Sequence, residues 1–347
     1  MEKLYTITQP ILSDPLIGSN PRKLFHIPQD VLEWGGRICY RSTPKFRTSP
    51  DFIQKIISVK HLDVLEHGYA GFLMNVEEEY GIDSYYYFYH QMNQKYPYLR
   101  VDLHPAAKKI GIYGNFRAWH QLYENDFTQI WGMFGRKDMQ ELILTLSNLA
   151  PNVFPVPSWL VSQNENNSIG GEIRREHAMQ MANQKGFNCK VTSSGANVML
   201  LGKTNAINGT DRYHATFQFN GISRALSHQL VRHRVLSFSQ ESQRYVDGTN
   251  FQYVLPHVDN DSRNDIKETI DFINEKYRNM RNRKVKKEDA RCILPNAAVT
   301  QIVVSGEEFG WRHFIKQRTA SDAQPEIREV ALIVQDMLGD KNGSNLS

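Results

Sequence analysis

Cysteine is scarce in this 347-residue sequence, which contains only Cys39, Cys189 and Cys292. These three lie far apart, so they form neither the dense framework of a disulfide-rich domain nor the paired spacing of a zinc site. No apolar run approaches the roughly 20 residues that a membrane-spanning helix needs. The first residues also lack the charged and then apolar pattern of a signal peptide. We therefore expect a cytoplasmic protein without a structural metal or a membrane partner.

Two phosphate-binding motifs are also missing from the sequence. No Gly-x-Gly-x-x-Gly follows a predicted strand, and no glycine-rich loop ends in the lysine of a phosphate-binding loop. Any dinucleotide must therefore be held by side chains. The composition, with 40% hydrophobic and 22% charged residues, is ordinary for a globular protein. The net charge of +4 suits a small anionic ligand as well as nucleic acid, so it decides neither.

The stretch richest in chemistry is residues 221–245, GISRALSHQLVRHRVLSFSQESQRY. Apolar residues at three- and four-residue spacing predict an amphipathic helix that opens at Gly221 and includes Leu230. The Arg-His-Arg at 232–234 would then lie at the carboxyl end of this helix, where the helix dipole favours positive charge. Hydroxyl and amide side chains follow, and such groups can donate to phosphate and carbonyl oxygens. The alternative interpretation is a solvated helix end with a polar turn.

Arginine is concentrated in this stretch and in a second block at residues 288–337. Together the two blocks supply five guanidinium groups, at Arg232, Arg234, Arg244, Arg291 and Arg318. Gathering like charges in one site is costly unless anions neutralise them. The pattern therefore predicts a ligand with several negative charges, such as a nucleotide phosphate or a dinucleotide.

The order of residues in both blocks resembles the signature of the flavin-dependent thymidylate synthases. In the first block, Arg-His-Arg is followed after seven residues by Ser242 and then by Arg244 and Tyr245. The second block contains Ala-Arg-x-x-Leu-Pro at 290–295, Trp-Arg-His-Phe at 311–314 and Ala-Gln-x-Glu-Ile-Arg at 323–328. A weaker match covers residues 1–76, where Glu66 and His67 precede a strand-like run.

This resemblance implies an α+β fold that carries an FAD-dependent methyltransferase. Such enzymes reductively methylate dUMP to dTMP, with methylenetetrahydrofolate as carbon donor and reduced FAD as hydride source. NADPH re-reduces the flavin. The partners implied are the nucleotide and other copies of the same chain in a homotetramer, and nucleic acid is not among them.

The resemblance also assigns roles to residues of this sequence. Arg318 would be the catalytic group, facing the pyrimidine and stabilising the negative charge that raises electron density at its C5. The residues implied to bind the nucleotide are Gln229, Arg232, Gln240, Glu241, Ser242, Gln243, Arg244 and Arg291. Those implied to bind FAD are Arg232, His233, Arg234, Gln240 and His313, with Glu307 and Tyr69 as further contacts. His67 would lie on the folate and NADPH side.

Four of these positions leave alternatives open. Ser242 is expected to hydrogen-bond the substrate, because no base accompanies it to make a nucleophile. His233, flanked by arginines, is expected to be neutral. Arg318 could instead form a surface ion pair with a nearby carboxylate, Asp322 or Glu326. Glu307 stands where the family often has asparagine, and a carboxylate accepts hydrogen bonds but does not donate them.

The sequence departs from the family pattern between about residues 77 and 211. In the family, the strand after Glu-His leads almost directly into the Arg-His-Arg helix, whereas here a second strand-like run at 212–219 precedes that helix. Either an insertion splits one strand, or the strand is rebuilt from the second run, in which case His214 competes with His67. We predict an inserted subdomain at 77–211 between two parts of a catalytic domain, 1–76 and 212–337, with a flexible tail at 338–347.

Helical patterns are predicted at 29–41, 51–60, 138–149, 172–185 and 261–283. The aromatic residues between Tyr85 and Tyr98 are predicted to form core rather than a stacking platform. Residues 114–122, GNFRAWHQL, echo the segment around Trp311, but the echo is too short to indicate a repeat. The basic run at 281–287 is either a solvated face or a site for phosphate or an anionic folate tail.

Other functions are compatible with parts of the pattern. A related enzyme could methylate another uridine nucleotide. A nucleic-acid-binding protein could use the basic helix with the aromatic segment, and would show salt-dependent binding. An inactive scaffold descended from the enzyme is a third alternative, but it would be expected to lose Arg318 or Ser242, and both are present.

Overall fold

The computed structural model describes residues 5–7, 28–46, 48, 51–125, 133–134, 136–157, 160, 188–205 and 212–339. Helices and strands both contribute to the described part, and the predicted α+β class is confirmed. The predicted helix at 172–185 lies outside the described residues, as does most of the predicted tail. No helix in the described ranges is long and apolar enough to cross a membrane.

The first half of the described chain forms a small sheet with helices around it. A 3-10 turn at Leu62–His67 leads into the first strand of this sheet. The elements in chain order are β1 (Tyr5–Ile7), α1 (Pro28–Cys39), α2 (Phe52–Ser58), β2 (Tyr69–Asn75), α3 (Ile82–Lys95), β3 (Arg100–His104), β4 (Lys109–Asn115), α4 (Phe116–Asn125) and α5 (Arg136–Leu149).

The second half contains a larger sheet and the two motif blocks. Its elements are β5 (Asn188–Val191), β6 (Asn197–Asn205), β7 (Tyr213–Ser223), α6 (Arg224–Leu230), β8 (Ser237–Gln240), β9 (Val254–Pro256), α7 (Asn260–Asn282), α8 (Lys287–Ala290), β10 (Val299–Glu307), α9 (Glu308–Arg318) and α10 (Pro325–Leu338). A second 3-10 turn, Arg291–Ile293, follows α8.

Every sheet in the described part is antiparallel. The small sheet has the order β2-β4-β3, and the large sheet has the order β5-β6-β7-β10-β8. A separate pair joins β1 to β9. The strand β7 is buried along its whole length, because helices cover one face of the large sheet and α1 packs against the other.

Two strands, not one, account for the two strand-like runs of the sequence. The run after His67 is β2, in the small sheet, and the run before the Arg-His-Arg segment is β7, in the large sheet. The structure therefore favours the second of the two alternatives, in which the strand before the signature helix is built from the second run.

The signature helix begins later than its pattern predicts. Gly221 and Ile222 still belong to β7, and α6 starts at Arg224 after the cap residue Ser223. Gly221 has a φ of 89°, and the pairing of β7 with β10 shifts register beside it, as in a β-bulge. The Ser223 hydroxyl accepts a hydrogen bond from the Leu226 amide, which satisfies one of the free donors at the helix start. The bulge and the cap together delay the helix.

Hydrophobic side chains gather in two large clusters. One joins buried residues between 32 and 154, and the other joins buried residues between 196 and 338. The predicted boundaries of the inserted subdomain, at 76/77 and 211/212, stay a prediction. The aromatic segment is core on one face only, since Tyr85 and Phe88 are buried whereas Tyr86 and Tyr87 are exposed.

Candidate functional site

The centre of the candidate site joins the two motif blocks. Arg318, the last residue of α9, donates from Nε to His233 Nε2 at 3.0 Å. The same guanidinium contacts Gln229 twice, at its side-chain oxygen (3.3 Å) and its backbone oxygen (3.4 Å). Arg318 therefore faces the signature segment, and not Asp322 or Glu326 as in the alternative interpretation.

His233 is the buried member of the Arg-His-Arg segment. It is 2% exposed, while Arg232 and Arg234 on either side are exposed. Burial, the Arg318 cation and His313 lower the pKa of His233 to about 4. Its Nε2 accepts from Arg318, so the ring proton of the neutral form lies on Nδ1. That Nδ1 is buried and has no hydrogen-bond partner within the described part of the chain.

The start of the signature helix is fixed by a carboxylate from the second block. Glu326 accepts hydrogen bonds from the Ser223 amide (2.8 Å) and the Ser223 hydroxyl (2.6 Å). Burial raises the pKa of Glu326, and these two hydrogen bonds oppose the rise. The sequence analysis placed Glu326 in a motif but did not find this role, because no local pattern relates residues 103 positions apart.

The polar run after Arg-His-Arg lies on β8 and in the turn that follows it. Gln240 donates to Ser227 (2.8 Å) and to Thr300 (3.3 Å). The Glu241 carboxylate is buried, and it accepts two hydrogen bonds from Arg41 and one from Gln301 at 3.0–3.2 Å. Both side chains thus have partners inside the chain, and Arg41 is a residue that the sequence analysis missed.

Ser242 is held in place through its backbone amide, and its hydroxyl accepts a hydrogen bond from the chain. Its amide donates to the Cys39 carbonyl at 2.9 Å, and its hydroxyl accepts from the Arg244 amide at 3.3 Å. In the part of the chain that the structure describes, no histidine or carboxylate is hydrogen-bonded to this hydroxyl. Burial raises the pKa of the neighbouring Cys39 thiol to about 11. The geometry therefore favours a hydrogen-bonding Ser242 over a nucleophile.

Arg244 of the first block and basic side chains from residues 281–287 border a broad, shallow cavity of about 490 Å³. Arg244 donates to Glu288 at 3.1 Å, and Arg291 donates to the Glu288 backbone oxygen at 3.2 Å. Arg281 pairs with Asp247 at 3.0 Å. The cavity is lined by Arg244, Arg281, Lys284, Lys286, Lys287 and Glu288. Five cations against one carboxylate make it a surface that attracts anions.

Gln243 is half-buried in the turn between Ser242 and Arg244, beside this cavity. The structure therefore gathers the substrate candidates into two neighbouring groups. One surrounds Arg318 and His233, and the other surrounds Arg244.

His67 lies inside the protein rather than at the mouth of a strand. It is 3% exposed, and its two ring nitrogens lie 2.6 Å from the Ser305 hydroxyl and 2.7 Å from the Ser239 hydroxyl. Burial lowers its pKa to about 3. His67 thus links β10 and β8 through hydrogen bonds, and both of its ring nitrogens already have a hydroxyl partner within this chain.

The rival residue, His214, is also buried and stacks on Tyr69 with ring centroids 4.8 Å apart. Burial and the nearby His67 lower its pKa to about 3. Tyr69 interacts with the half-buried Glu307, whose pKa is raised by burial while Arg100 and the Tyr69 hydrogen bond oppose the rise. Tyr69 and Glu307 therefore contact each other.

The remaining flavin candidate, His313, lies on α9 with its ring 5.6 Å from that of His233. Among the described residues, no cluster of histidine, cysteine, aspartate or glutamate could hold a metal ion. The described site is thus built from arginines, amides, hydroxyls and histidines, with the carboxylates of Glu241 and Glu307 among them. Such a set suits an anionic organic ligand.

Comparison with known proteins agrees with the motif analysis. Residues 210–340 match the family model for thymidylate synthase complementing protein. A flavin-dependent thymidylate synthase from Nitratidesulfovibrio vulgaris is 36% identical over 174 residues, which cover 47% of this chain and 64% of that protein. Proteins of the same name from Corynebacterium glutamicum and Mycobacterium tuberculosis are 39% and 36% identical over 34% of this chain each. The chain spans 55% and 54% of their lengths.

Proposed function

We propose that this protein reductively methylates dUMP to dTMP, because residues 210–340 match the model of the thymidylate synthase complementing proteins and the flavin-dependent thymidylate synthases compared above are 36–39% identical to it. Methylenetetrahydrofolate is the carbon donor in this proposal, FAD carries the hydride, and NADPH returns the flavin to its reduced form. The observation that carries the proposal is the convergence of Arg318, His233 and Gln229, which joins the two motif blocks into one site.

The charges around this centre support a nucleotide as substrate. Arg232 and Arg234 are exposed beside the buried His233, and Arg244 lies at the edge of the basic cavity. Such cations attract a phosphate, and arginine binds it in a fixed geometry. In the proposal, Gln229, Arg232, Gln240, Glu241, Ser242, Gln243, Arg244 and Arg291 form the nucleotide site.

Arg318 is the proposed catalytic residue. A guanidinium fixed by His233 and Gln229 needs little reorganisation when negative charge develops on the pyrimidine. It stabilises that charge and so raises electron density at C5, the carbon that accepts the methyl group. Ser242 hydrogen-bonds the substrate, since a serine nucleophile would require a base that this turn does not provide.

The residues near His233 fit a flavin. The buried Nδ1–H of His233 has no partner in the described part of the chain, so a carbonyl or ring nitrogen of a ligand can accept from it. FAD supplies the hydride chemistry when bound, while side chains orient it and exclude water. In the proposal Arg232, His233, Arg234, Gln240 and His313 hold the flavin, with Glu307 and Tyr69 as further contacts and His67 on the folate and NADPH side.

We also propose that the protein is cytoplasmic and that it assembles as a homotetramer, as the resemblance implies. Light scattering measures the number of chains directly. The preference for NADPH over NADH follows from the turnover rates with each reductant at equal concentration.

Turnover tests the proposed function. Purified protein is incubated with FAD, NADPH, methylenetetrahydrofolate and dUMP, and nucleotides are separated by chromatography. We expect dTMP to appear, and expect none from the Arg318→Ala variant. Protein that binds flavin but forms no dTMP from dUMP would contradict the proposal. UMP in place of dUMP tests the alternative, a methylase of another uridine nucleotide.

A further inference from the structure

The described chain contains the same arrangement of elements twice. In the first unit, residues 69–149, the order is β2, α3, β3, β4, α4 and α5. In the signature unit, residues 213–338, the corresponding elements are β7, α6, β8, β10, α9 and α10, with β9, α7 and α8 inserted before β10. The strands occupy the same places in their sheets, since the order β2-β4-β3 corresponds to β7-β10-β8 and all pairs are antiparallel.

Strand register relates the two units residue by residue. Tyr69 pairs with Asn115, the residue before α4, and His214 pairs with Glu307, the residue before α9. Counting along the strands, Ala70 then corresponds to Ala215, and Gly114 corresponds to Gly306. The third strand agrees, because Arg100 pairs with Tyr113 and its counterpart Ser237 pairs with Ser305, the counterpart of Tyr113.

A tryptophan makes the same two contacts in each unit. Trp119 lies five residues after Gly114, and its Nε1 donates to the Ala70 carbonyl at 3.1 Å. Its ring meets Phe72 edge-on with centroids 5.2 Å apart.

In the signature unit, Trp311 lies five residues after Gly306 and donates to the Ala215 carbonyl, also at 3.1 Å. Its ring meets Phe217 edge-on at 4.9 Å. Matching strand order, register and tryptophan contacts together indicate an internal repeat.

The two units meet through corresponding residues. Tyr69 and His214 occupy the same register position, and their rings stack with centroids 4.8 Å apart and planes 13° apart. Where two copies of a unit pair around a two-fold axis, residues at the axis contact their own counterparts. The stack therefore has the geometry of a dimer contact formed inside one chain.

The first unit has lost the signature itself. In the signature unit, the connection from α6 to β8 carries Arg232, His233 and Arg234. The corresponding connection from α3 to β3 is residues 96–99, Tyr-Pro-Tyr-Leu, and it contains no basic residue. Its helix is also longer, 14 residues against 7. One unit thus has the candidate chemistry, while the other keeps only the fold.

We propose that the first unit is a degenerate internal copy of the signature unit and serves as its built-in partner, completing a ligand pocket that one unit cannot form alone. This pocket, of about 180 Å³, lies where the units meet. The first unit contributes Tyr69, Arg100 and Tyr113. The second half of the chain contributes Arg212, Tyr213, Glu307, Glu308, Phe309 and Arg312.

The lining of this pocket defines the class of its ligand. Four aromatic side chains line it and can stack on a ligand ring. Guanidinium groups from both units lie beside carboxylates, since Arg312 pairs with Glu308 at 2.6 Å and Arg100 pairs with Asp102 at 3.0 Å. A pocket of about 180 Å³ with this lining suits one planar ring with polar edges, such as the ring portion of a larger ligand. Its identity as FAD rests on the proposed function, whereas the pairing of the two units does not.

Two residues of the first unit, Arg100 and Tyr113, line the pocket although no sequence motif points to them. Arg100 is held by Asp102, through hydrogen bonds at 3.0–3.1 Å. The Arg100 guanidinium lies 5.8 Å from the Tyr113 ring centre. Asp102 also binds Arg212, at the start of β7, so this ion-pair group bridges the two units. A fixed guanidinium at the junction can contact a ligand held by the signature unit.

Cross-linking tests whether the partner unit is in the same chain. Arg117→Cys and Ser237→Cys are combined in a Cys189→Ser, Cys292→Ser background and treated with a short bismaleimide. Both positions are at least partly exposed, and both residues hydrogen-bond to Glu66, at 2.5 and 2.6 Å. We expect a link between residues 117 and 237 within one chain, read by peptide mass spectrometry, with no covalent dimer on a denaturing gel. A covalent dimer, or no link in the folded protein, would overturn the proposal. If this variant fails to fold, Asp102→Cys with Arg212→Cys replaces it, because these two side chains pair at 3.2 Å.

Ligand binding tests the role of Arg100. We expect Arg100→Ala to weaken flavin affinity by roughly 10-fold, the scale of one lost hydrogen bond to a charged group. Arg278→Ala, a matched change at an exposed arginine that contacts Asn250, leaves the affinity unchanged. Unchanged affinity in Arg100→Ala would remove Arg100 from the site.

Complementation then links the pocket to turnover. Chains carrying Arg100→Ala and chains carrying Arg318→Ala are co-expressed with different tags and purified as mixed assemblies. Because each first unit serves its own chain, we expect no more dTMP than from the two variants separately. Restored turnover would show that the partner unit acts between chains and would overturn the proposal. An inactive wild-type protein would contradict the proposed function, while the cross-link result would still decide the pairing of the units.

Discussion

Arg318 Nε lies 3.0 Å from Nε2 of His233, a residue 85 positions away in the sequence, and this contact joins the two motif blocks. An arginine always donates, so the histidine accepts and must be neutral. The lowered pKa of His233, about 4, agrees with that state at physiological pH. The finding turns two separate sequence patterns into one arginine-centred site.

Replacing Arg318 tests how much this geometry matters. Arg318→Ala should abolish dTMP formation, and Arg318→Lys should recover little of it, because an ammonium cannot reach His233 and Gln229 with one planar fork. We expect both variants to lose at least about 100-fold in kcat, the scale found for removing one electrostatic stabiliser. Steady-state kinetics with varied dUMP measures the loss. Lys316→Ala, an exposed change on the same helix, is the control and should keep full activity. Near-normal kcat in Arg318→Lys would show that charge alone is sufficient.

Ser242→Ala distinguishes a hydrogen-bonding serine from a nucleophile. Loss of one substrate hydrogen bond should raise KM for dUMP by roughly 10-fold and leave measurable kcat. Loss of a nucleophile would instead remove turnover altogether. Single-turnover product analysis separates the two cases. Ser262→Ala, at the exposed start of α7, is the matched control.

Stability should fall when the pH drops below about 6.5. His67 and His214 have pKa values lowered by burial to about 3, so between about pH 3 and 6.5 the unfolded chain binds more protons than the folded one. Each contributes up to about 1.4 kcal/mol of lost unfolding free energy per pH unit in that window and nothing above it. Urea unfolding at pH 7.5, 6.5 and 5.5 measures the slope.

A shallower slope is expected for His67→Asn, because one of the histidines with a lowered pKa (His67, His214 and His233) is removed and no longer takes up a proton on unfolding. Asn93→Gln, at an exposed position on α3, removes no titratable group and should leave the slope unchanged. An equally steep slope in all three proteins would assign the pH dependence to other groups.

The two corresponding tryptophans should contribute alike to stability. Trp119→Phe and Trp311→Phe each remove one buried hydrogen bond of 3.1 Å and leave an alanine carbonyl without that donor. We expect each to cost about 1–3 kcal/mol of unfolding free energy. Chemical denaturation measures both, with Tyr98→Phe at an exposed position as control. A cost at one tryptophan only would speak against equivalent roles in the two units.

The candidate site was predictable where its residues are close in sequence. The Arg-His-Arg segment and Ser242 are only a few residues apart, so their spacing can be read directly from the sequence. The roles of Arg41 and Glu326 were not predictable, because each acts on a residue 103 or more positions away. Only strand pairing and helix packing bring such residues together, and no local pattern encodes these distances.

In the fold, too, locally encoded features were predictable and features that depend on distant residues were not. Helices with strong periodicity appear near their predicted places, as α7 (Asn260–Asn282) does for the pattern at 261–283. The start of α6 differs, because β7 continues through Gly221 until Ser223 caps the helix. The internal repeat was only a short echo in sequence. Its units share strand pairings and a few widely spaced residues, such as Trp119 and Trp311, and strand pairings depend on tertiary contacts.

An absorbance spectrum of the purified protein between 300 and 550 nm tests the central claim most directly. We expect a bound oxidised-flavin spectrum that shifts when dUMP is added, because both ligands contact the arginine-centred site around His233. The Arg318→Ala variant should bind flavin and show a weaker shift. A colourless protein that takes up no added flavin would contradict the proposed function.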